Sequence, residues 1–124
     1  MPASTSWNTL AEPKAIFMLI DLRTYTTRPG TLQKQLKLYA ERGFPVQRRL
    51  AGDPLAFLVT ETGPLNSYVH LWRYEDAAHR AQIRSTLQAD PDWIAYLAES
   101  AEAGNLIAQE NRLMVPAAFA PLPR

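Results

Sequence analysis

One short segment of this sequence holds side chains suited to proton transfer and to binding a flat molecule. In residues 63–74, GPLNSYVHLWRY, His70 stands two residues before Trp72. A histidine gains and loses its proton near neutral pH, so His70 is the candidate general acid or base. Side chains two residues apart on a strand point the same way, so Trp72 would form a wall beside it. The alternative is a structural histidine that hydrogen-bonds a neighbour.

Charged side chains on the other predicted strands suggest a second kind of chemistry. Arg23 and Glu61 are predicted to share one face of a sheet, with Tyr25 two residues beyond Arg23. Arg23 would then anchor an anionic substrate, and Glu61 or His70 would move a proton. The alternative is an ion-pair network, in which Arg23 pairs with Glu61 or Glu110 and stabilises the sheet or a dimer.

Several other kinds of site are excluded by what the sequence lacks. There is no cysteine, which removes thiolate nucleophiles, thiolate metal sites and disulfides. The two histidines, His70 and His79, form no HExxH pattern. The sequence also has no glycine-rich phosphate loop and no GxSxG turn. We therefore expect no metal and no cofactor.

Length and charge narrow the possible partners. A chain of 124 residues is enough for one domain, and its net charge of +1 favours neither nucleic acid nor an anionic membrane. The first apolar run, residues 15–20, is far shorter than the roughly 20 residues of a membrane helix. No secretory signal is visible. We expect a flexible leader at residues 1–14, one domain at residues 15–124, and a cytoplasmic location.

Periodicity and turn residues predict six elements. They are a strand at 15–25, a helix at 31–43 that ends at Gly43, strands at 55–62 and 66–74, a helix from 75 to 104 that is interrupted at Asp90-Pro91, and a last strand at 106–115. The order β-α-β-β-α-β is typical of a ferredoxin-like α+β fold, an antiparallel sheet with both helices on one face.

The alternation on these strands places Arg23, Tyr25, His70 and Trp72 on the face that the helices leave open. Large aromatic side chains facing water are unusual. A second copy of the chain is the simplest cover, so we expect a homodimer that forms through this sheet face.

Four segments resemble the motifs of NIPSNAP-domain proteins, over residues 16–122. They are LRTYTTRPG (22–30), GPLNSYVHLWRY (63–74), DPDW (90–93) and QENRLM (109–114). The resemblance implies a dimeric α/β barrel, in which two ferredoxin-like sheets pair face to face. That superfamily includes cofactor-independent monooxygenases and isomerases, so the resemblance does not specify one chemistry.

Two functions remain open on these grounds. The first is a NIPSNAP-type homodimer of uncharacterised activity that acts as a small-molecule-binding or interaction module. The alternative is a cofactor-independent monooxygenase or isomerase for a small apolar or aromatic substrate. Its base would be His70, its anion anchor Arg23, and its walls Trp72 and Tyr25. An enzyme of this kind needs a cavity of about 300 Å³ or more beside His70.

Overall fold

The structure, a computed structural model, describes residues 18–123. Its strands are β1 (Leu19–Thr27), β2 (Ala56–Val59), β3 (Ser67–Tyr74) and β4 (Leu106–Met114). Its helices are α1 (Leu32–Leu38), α2 (Phe44–Ala51), α3 (Ala77–Ala89) and α4 (Pro91–Ala103), and a π-helical turn (Tyr39–Gly43) joins α1 to α2. The predicted leader at 1–14 and the start of the first predicted strand at 15–17 lie outside the described residues.

The four strands form one antiparallel sheet in the order β2-β3-β1-β4. β1 pairs with β3 and β4, so that Arg23 lies opposite His70 on one side and Asn111 on the other. Strand order and helix placement are those of the ferredoxin-like fold, which confirms the predicted fold class. Within residues 18–123, no helix is long and apolar enough to cross a membrane.

The helices cover the aromatic face of the sheet. The sequence analysis had predicted that the helices would leave this face open. Tyr68, His70 and Trp72 of β3 are each at most 3% exposed. Residues opposite one another in a ladder share a face, so Arg23 and Tyr25 of β1 also lie under the helices. The predicted placement is wrong, because alternation separates two faces without indicating which one the helices cover.

The face that is left open is apolar in its middle. Leu22 lies opposite Leu71, and Val69 lies opposite Leu58, which is 56% exposed. These four residues define what we call the open face. The helices do not cover this apolar surface, so it is the candidate contact site for another copy of the chain.

The sequence analysis predicted that the first helical segment ends at Gly43, and this prediction is wrong. The π-helical turn passes through it, and the chain continues as α2 until Gly52, which adopts φ 83°. A Cβ at Gly43 would lie 2.8 Å from the Tyr39 ring and 3.1 Å from the Tyr96 ring. Glycine is therefore needed at position 43 for close packing against two aromatic rings rather than for a helix end.

The interruption at Asp90-Pro91 is confirmed, and it orients α4. The Asp90 carboxylate accepts hydrogen bonds from the backbone N–H groups of Asp92 and Trp93, at 2.8 and 3.3 Å. This cap fixes the first turn of α4. Trp93, Tyr96 and Ser100 then follow at helical spacing, and all three are buried.

Candidate functional site

His70 lies at the centre of a group of aromatic rings on the covered face. Its ring is parallel to those of Phe57 and Tyr25, with interplanar angles of 4° and centroid distances of 4.9 and 5.1 Å. Phe57 is its direct partner on β2, and Tyr25 reaches it from β1. Tyr39 packs against the same imidazole at 5.7 Å. The ring is therefore held in one orientation from several sides.

Hydrogen bonding determines which nitrogen of His70 carries the proton. The indole Nε1 of Trp72 donates to Nδ1 of His70, so Nδ1 is an acceptor. Burial, followed by the positive charge of Arg23, lowers the pKa of His70 to about 3, against a weaker opposite effect of Asp21. The neutral imidazole therefore carries its proton on Nε2. No group within residues 18–123 hydrogen-bonds that atom.

Arg23 pairs with a carboxylate that the sequence analysis did not assign to it. Asp21 is fully buried and accepts from Arg23 Nη1 at 3.1 Å, from Arg80 Nε at 3.1 Å and from Asn111 Nδ2 at 3.0 Å. Burial alone would raise the pKa of Asp21, but the Asn111 hydrogen bond and the two arginines lower it. Arg23 also donates to the Tyr25 hydroxyl at 3.0 Å. The ion-pair alternative is therefore correct in kind, with Asp21 as the partner.

Two of the charged candidates are not brought to this site. Glu61 lies in an exposed turn beyond the end of β2, because that strand stops at Val59. Glu110 lies opposite Thr24 and so belongs to the other face of the sheet. Neither carboxylate contacts Arg23.

A small cavity of about 70 Å³ lies between the sheet and the helices beside His70. We call it the chamber. Tyr25, Tyr68 and His70 line it from the sheet, and Tyr39, Trp93 and Tyr96 line it from the helices. Its volume corresponds to about two water molecules of the liquid. It is well below the roughly 300 Å³ that the enzyme hypothesis required.

Most polar groups around the chamber have partners. Tyr39 donates to Gln47 Oε1 at 2.8 Å, and Gln35 Nε2 donates to the Tyr96 hydroxyl at 3.1 Å. Trp93 is the exception: within residues 18–123 its Nε1 is the one fully buried side-chain nitrogen or oxygen that lacks a partner. The chamber is thus lined by Trp93, whose fully buried N–H lacks a partner, and by His70, whose Nε2 is not among the fully buried atoms and makes no hydrogen bond in the described residues.

The groups around the chamber can donate hydrogen bonds but are poorly suited to taking protons. His70 is neutral and holds its proton on Nε2 at neutral pH. Burial raises the pKa of Tyr39 and of Tyr68 well above the ordinary value, so both hydroxyls stay protonated. No group of three or more possible metal-ligating side chains occurs in the part of the chain that the structure describes.

Sequence analysis did not single out Phe57 or Arg80. Phe57 could have been found from the sequence, because it lies on the predicted strand that forms a hairpin with the strand of His70. Arg80 could not be assigned to Asp21 from the sequence, because a helix and a strand 59 residues apart come together only through the fold.

Comparison with known proteins agrees with this architecture. The NIPSNAP family model matches residues 20–121. The protein NipSnap homolog of Dictyostelium discoideum is 33% identical over 96 residues, which are 77% of this chain and 41% of that protein. Protein NipSnap homolog 3B of Homo sapiens is 41% identical over 63 residues, 51% of this chain and 25% of that protein. The chain thus spans less than half the length of these relatives.

Solved structures give the same result. A NIPSNAP family protein from Agrobacterium tumefaciens has a TM-score of 0.79 and 33% identity, covering 86% of this chain and 99% of that one. An uncharacterized NIPSNAP domain protein from Burkholderia xenovorans has a TM-score of 0.76 and 36% identity, covering 83% and 98%. A putative antibiotic biosynthesis monooxygenase from Nitrosomonas europaea, at a TM-score of 0.59 and 8% identity over 84% and 94%, shares the fold alone. The chain belongs to the NIPSNAP family.

Proposed function

We propose that this chain is a non-catalytic binding module, whose chamber holds a small, uncharged ligand with a hydrogen-bond acceptor. The observation that carries the proposal is the buried, unpaired Nε1 of Trp93. A buried donor without a partner costs about 1–3 kcal/mol, so a ligand acceptor that reaches it gains that free energy on binding. Trp93 lines the chamber, so an acceptor bound there is the proposed partner of this N–H.

The chamber also indicates what kind of ligand it would take. The proton on Nε2 of His70 supplies a second donor, and neither donor is charged. Tyr25, Tyr39 and Tyr96 supply aromatic walls. A compact ketone or amide has the oxygen acceptor and the apolar remainder that such a site favours. The 70 Å³ volume limits the ligand to a few non-hydrogen atoms in the shape that the chamber has here.

The same features weigh against the rival enzyme hypothesis. A general base works best when its pKa is close to the working pH. The pKa of His70 is lowered to about 3, and its Nδ1 is occupied by the Trp72 indole. His70 is therefore better suited to hold an acceptor than to remove a proton from a monooxygenase or isomerase substrate.

We further propose that two copies pair through the open face. Leu58 and Leu71 lie on it, and Leu58 is 56% exposed. β4 is also exposed from Ile107 onward, so it offers a second copy more uncovered sheet. This face lies opposite the chamber, so dimerisation and ligand binding can be tested independently. We expect Leu58→Asp to give a monomer in sedimentation at micromolar concentration, and a wild-type monomer would contradict the dimer.

The ligand proposal is tested by ¹H–¹⁵N NMR of the tryptophan indole N–H groups during titration with small ketones and amides. We expect at least one compound to shift the Trp93 signal saturably. The Trp72 indole bonds to the same His70 ring that contacts the ligand, so its signal is expected to move as well. The Trp93→Phe variant should show no saturable response at its remaining indoles. If no compound moves the Trp93 signal saturably, the proposal is wrong.

A further inference from the structure

The chamber is closed on most sides and open on one. Tyr68, His70 and Trp93 of its lining are each at most 8% exposed. Leu97 on α4 and Gln109 on β4 also line it, and both are exposed, Leu97 at 43%. The chamber therefore reaches the surface between α4 and β4. We call this opening the mouth.

The mouth exists because the helices do not extend over β4. This strand lies at the edge of the sheet, beside β1. Gln109 and Leu113 lie opposite Tyr25 and Asp21, so they belong to the face that carries the helices. Both are nevertheless exposed, whereas Asp21 is fully buried. The helices of the described chain therefore stop short of β4 and leave its inner row of side chains in contact with solvent.

The sides of the mouth are largely apolar. Leu97 follows Trp93 by one helical turn, at the border between the buried and the exposed side of α4. Ile94, three residues before Leu97, is exposed and continues the apolar surface outward. Leu106 faces them from β4. The described residues that line the chamber and its mouth carry no charge, since His70 is neutral.

This geometry indicates what the rest of the ligand looks like, and the inference rests on the proposed function of the chamber. The chamber admits only a few non-hydrogen atoms, so any larger ligand must continue through the mouth. We propose that the ligand is an amphiphile with an uncharged carbonyl head and one alkyl chain. The head bonds inside the chamber, and the chain lies between Leu97 and Leu106 and continues toward Ile94. An alkyl chain suits this path because it needs no hydrogen bonds and removes exposed apolar surface from water.

The test compares straight-chain methyl ketones, from acetone to methyl heptyl ketone, as ligands of the full chain. Their dissociation constants are measured from the Trp93 indole signal by ¹H–¹⁵N NMR. Full burial of one CH₂ group corresponds to about a fourfold gain in affinity. The mouth is partly open to water, so we expect about twofold for each of the first few CH₂ groups and at least about tenfold over the series.

Three variants locate this gain. The readout is the ratio of the affinities for methyl heptyl ketone and acetone, which cancels any effect on the head. Leu97→Gln should lower the ratio at least about threefold. Ile94→Gln, farther out on α4, should lower it less. Leu65→Gln is the matched control, because Leu65 is exposed in the turn before β3 and does not line the chamber, and it should leave the ratio unchanged.

Two results would overturn the inference and leave the chamber proposal standing. One is saturable binding of acetone with no gain for the longer ketones, which would assign the apolar strip to a protein contact such as a second copy. The other is the same ratio in Leu97→Gln and Leu65→Gln. If neither ketones nor amides shift the Trp93 signal, the proposed function is wrong and the inference fails with it.

Discussion

Trp72 and Trp93 offer a matched pair of substitutions that tests the bonding around His70. Both indoles are buried, at 0% and 8% exposure. The Trp72 N–H bonds to His70, whereas the Trp93 N–H bonds to nothing in the described chain. Replacing either by phenylalanine removes a similar volume, so the cost of the smaller ring is shared. What differs is the fate of the N–H group.

The difference in stability can be estimated from those bonds. Trp93→Phe removes an unpaired buried donor and so recovers about 1–3 kcal/mol. Trp72→Phe leaves the His70 acceptor unpaired and so costs about 1–3 kcal/mol. We therefore expect Trp72→Phe to be the less stable variant by at least about 2 kcal/mol, the sum of the two smaller values.

The assay is urea unfolding at one fixed protein concentration, because dimerisation would make stability depend on concentration. The two free energies of unfolding are compared with each other rather than with wild type, which cancels the loss of ring volume. Equal stability of Trp72→Phe and Trp93→Phe would refute the assignment of the unpaired donor. It would mean that the Trp93 N–H is already satisfied.

Three further predictions concern pH, packing and the buried charges. The pKa of His70 is about 3 in the folded chain and 6.5 in the unfolded chain, so between these values only the unfolded chain binds the proton, and the free energy of unfolding should fall by up to about 3 kcal/mol by about pH 4.5. Urea titrations of His70→Phe at the same pH values should lack this loss of stability. An identical pH profile for His70→Phe and wild type would contradict the prediction. Gly43→Ala should cost about 1–3 kcal/mol by thermal unfolding, since the new methyl overlaps an aromatic ring, and a neutral effect would disprove the close packing. Asp21→Asn should lower the free energy of unfolding by about 3–5 kcal/mol, because it leaves two arginines without their carboxylate. Asp53→Asn breaks an exposed ion pair and should lower it by less than about 1 kcal/mol. Similar losses for the two variants in urea unfolding would count against a buried network.

The order of the elements could be predicted from the sequence because its signals are local. Alternation marked β3, and an aspartate followed by proline marked the start of α4. Asn66, in the turn before β3, adopts φ 65°, a backbone conformation that asparagine tolerates. Each of these signals depends only on residues that are close in sequence, so it does not change with the tertiary packing.

The placement of the site could not be predicted in the same way. Both faces of β3 carry large side chains, with His70 and Trp72 on one and Val69 and Leu71 on the other. Alternation is symmetric between the two faces, so only the packing of the helices decides which is covered. The lack of a hydrogen-bond partner for the Trp93 indole also depends on tertiary packing, because the packing decides which acceptors come close to that N–H.

The most direct test of the central claim is a crystal structure of the protein with the ketone or amide that shifts the Trp93 signal most. We predict ligand density in the chamber, with acceptor atoms about 3 Å from Trp93 Nε1 and from His70 Nε2. Water alone in the chamber, bonded to the same two nitrogens, would contradict the account. It would show that the unpaired donors are satisfied by solvent and that the chamber is part of the core.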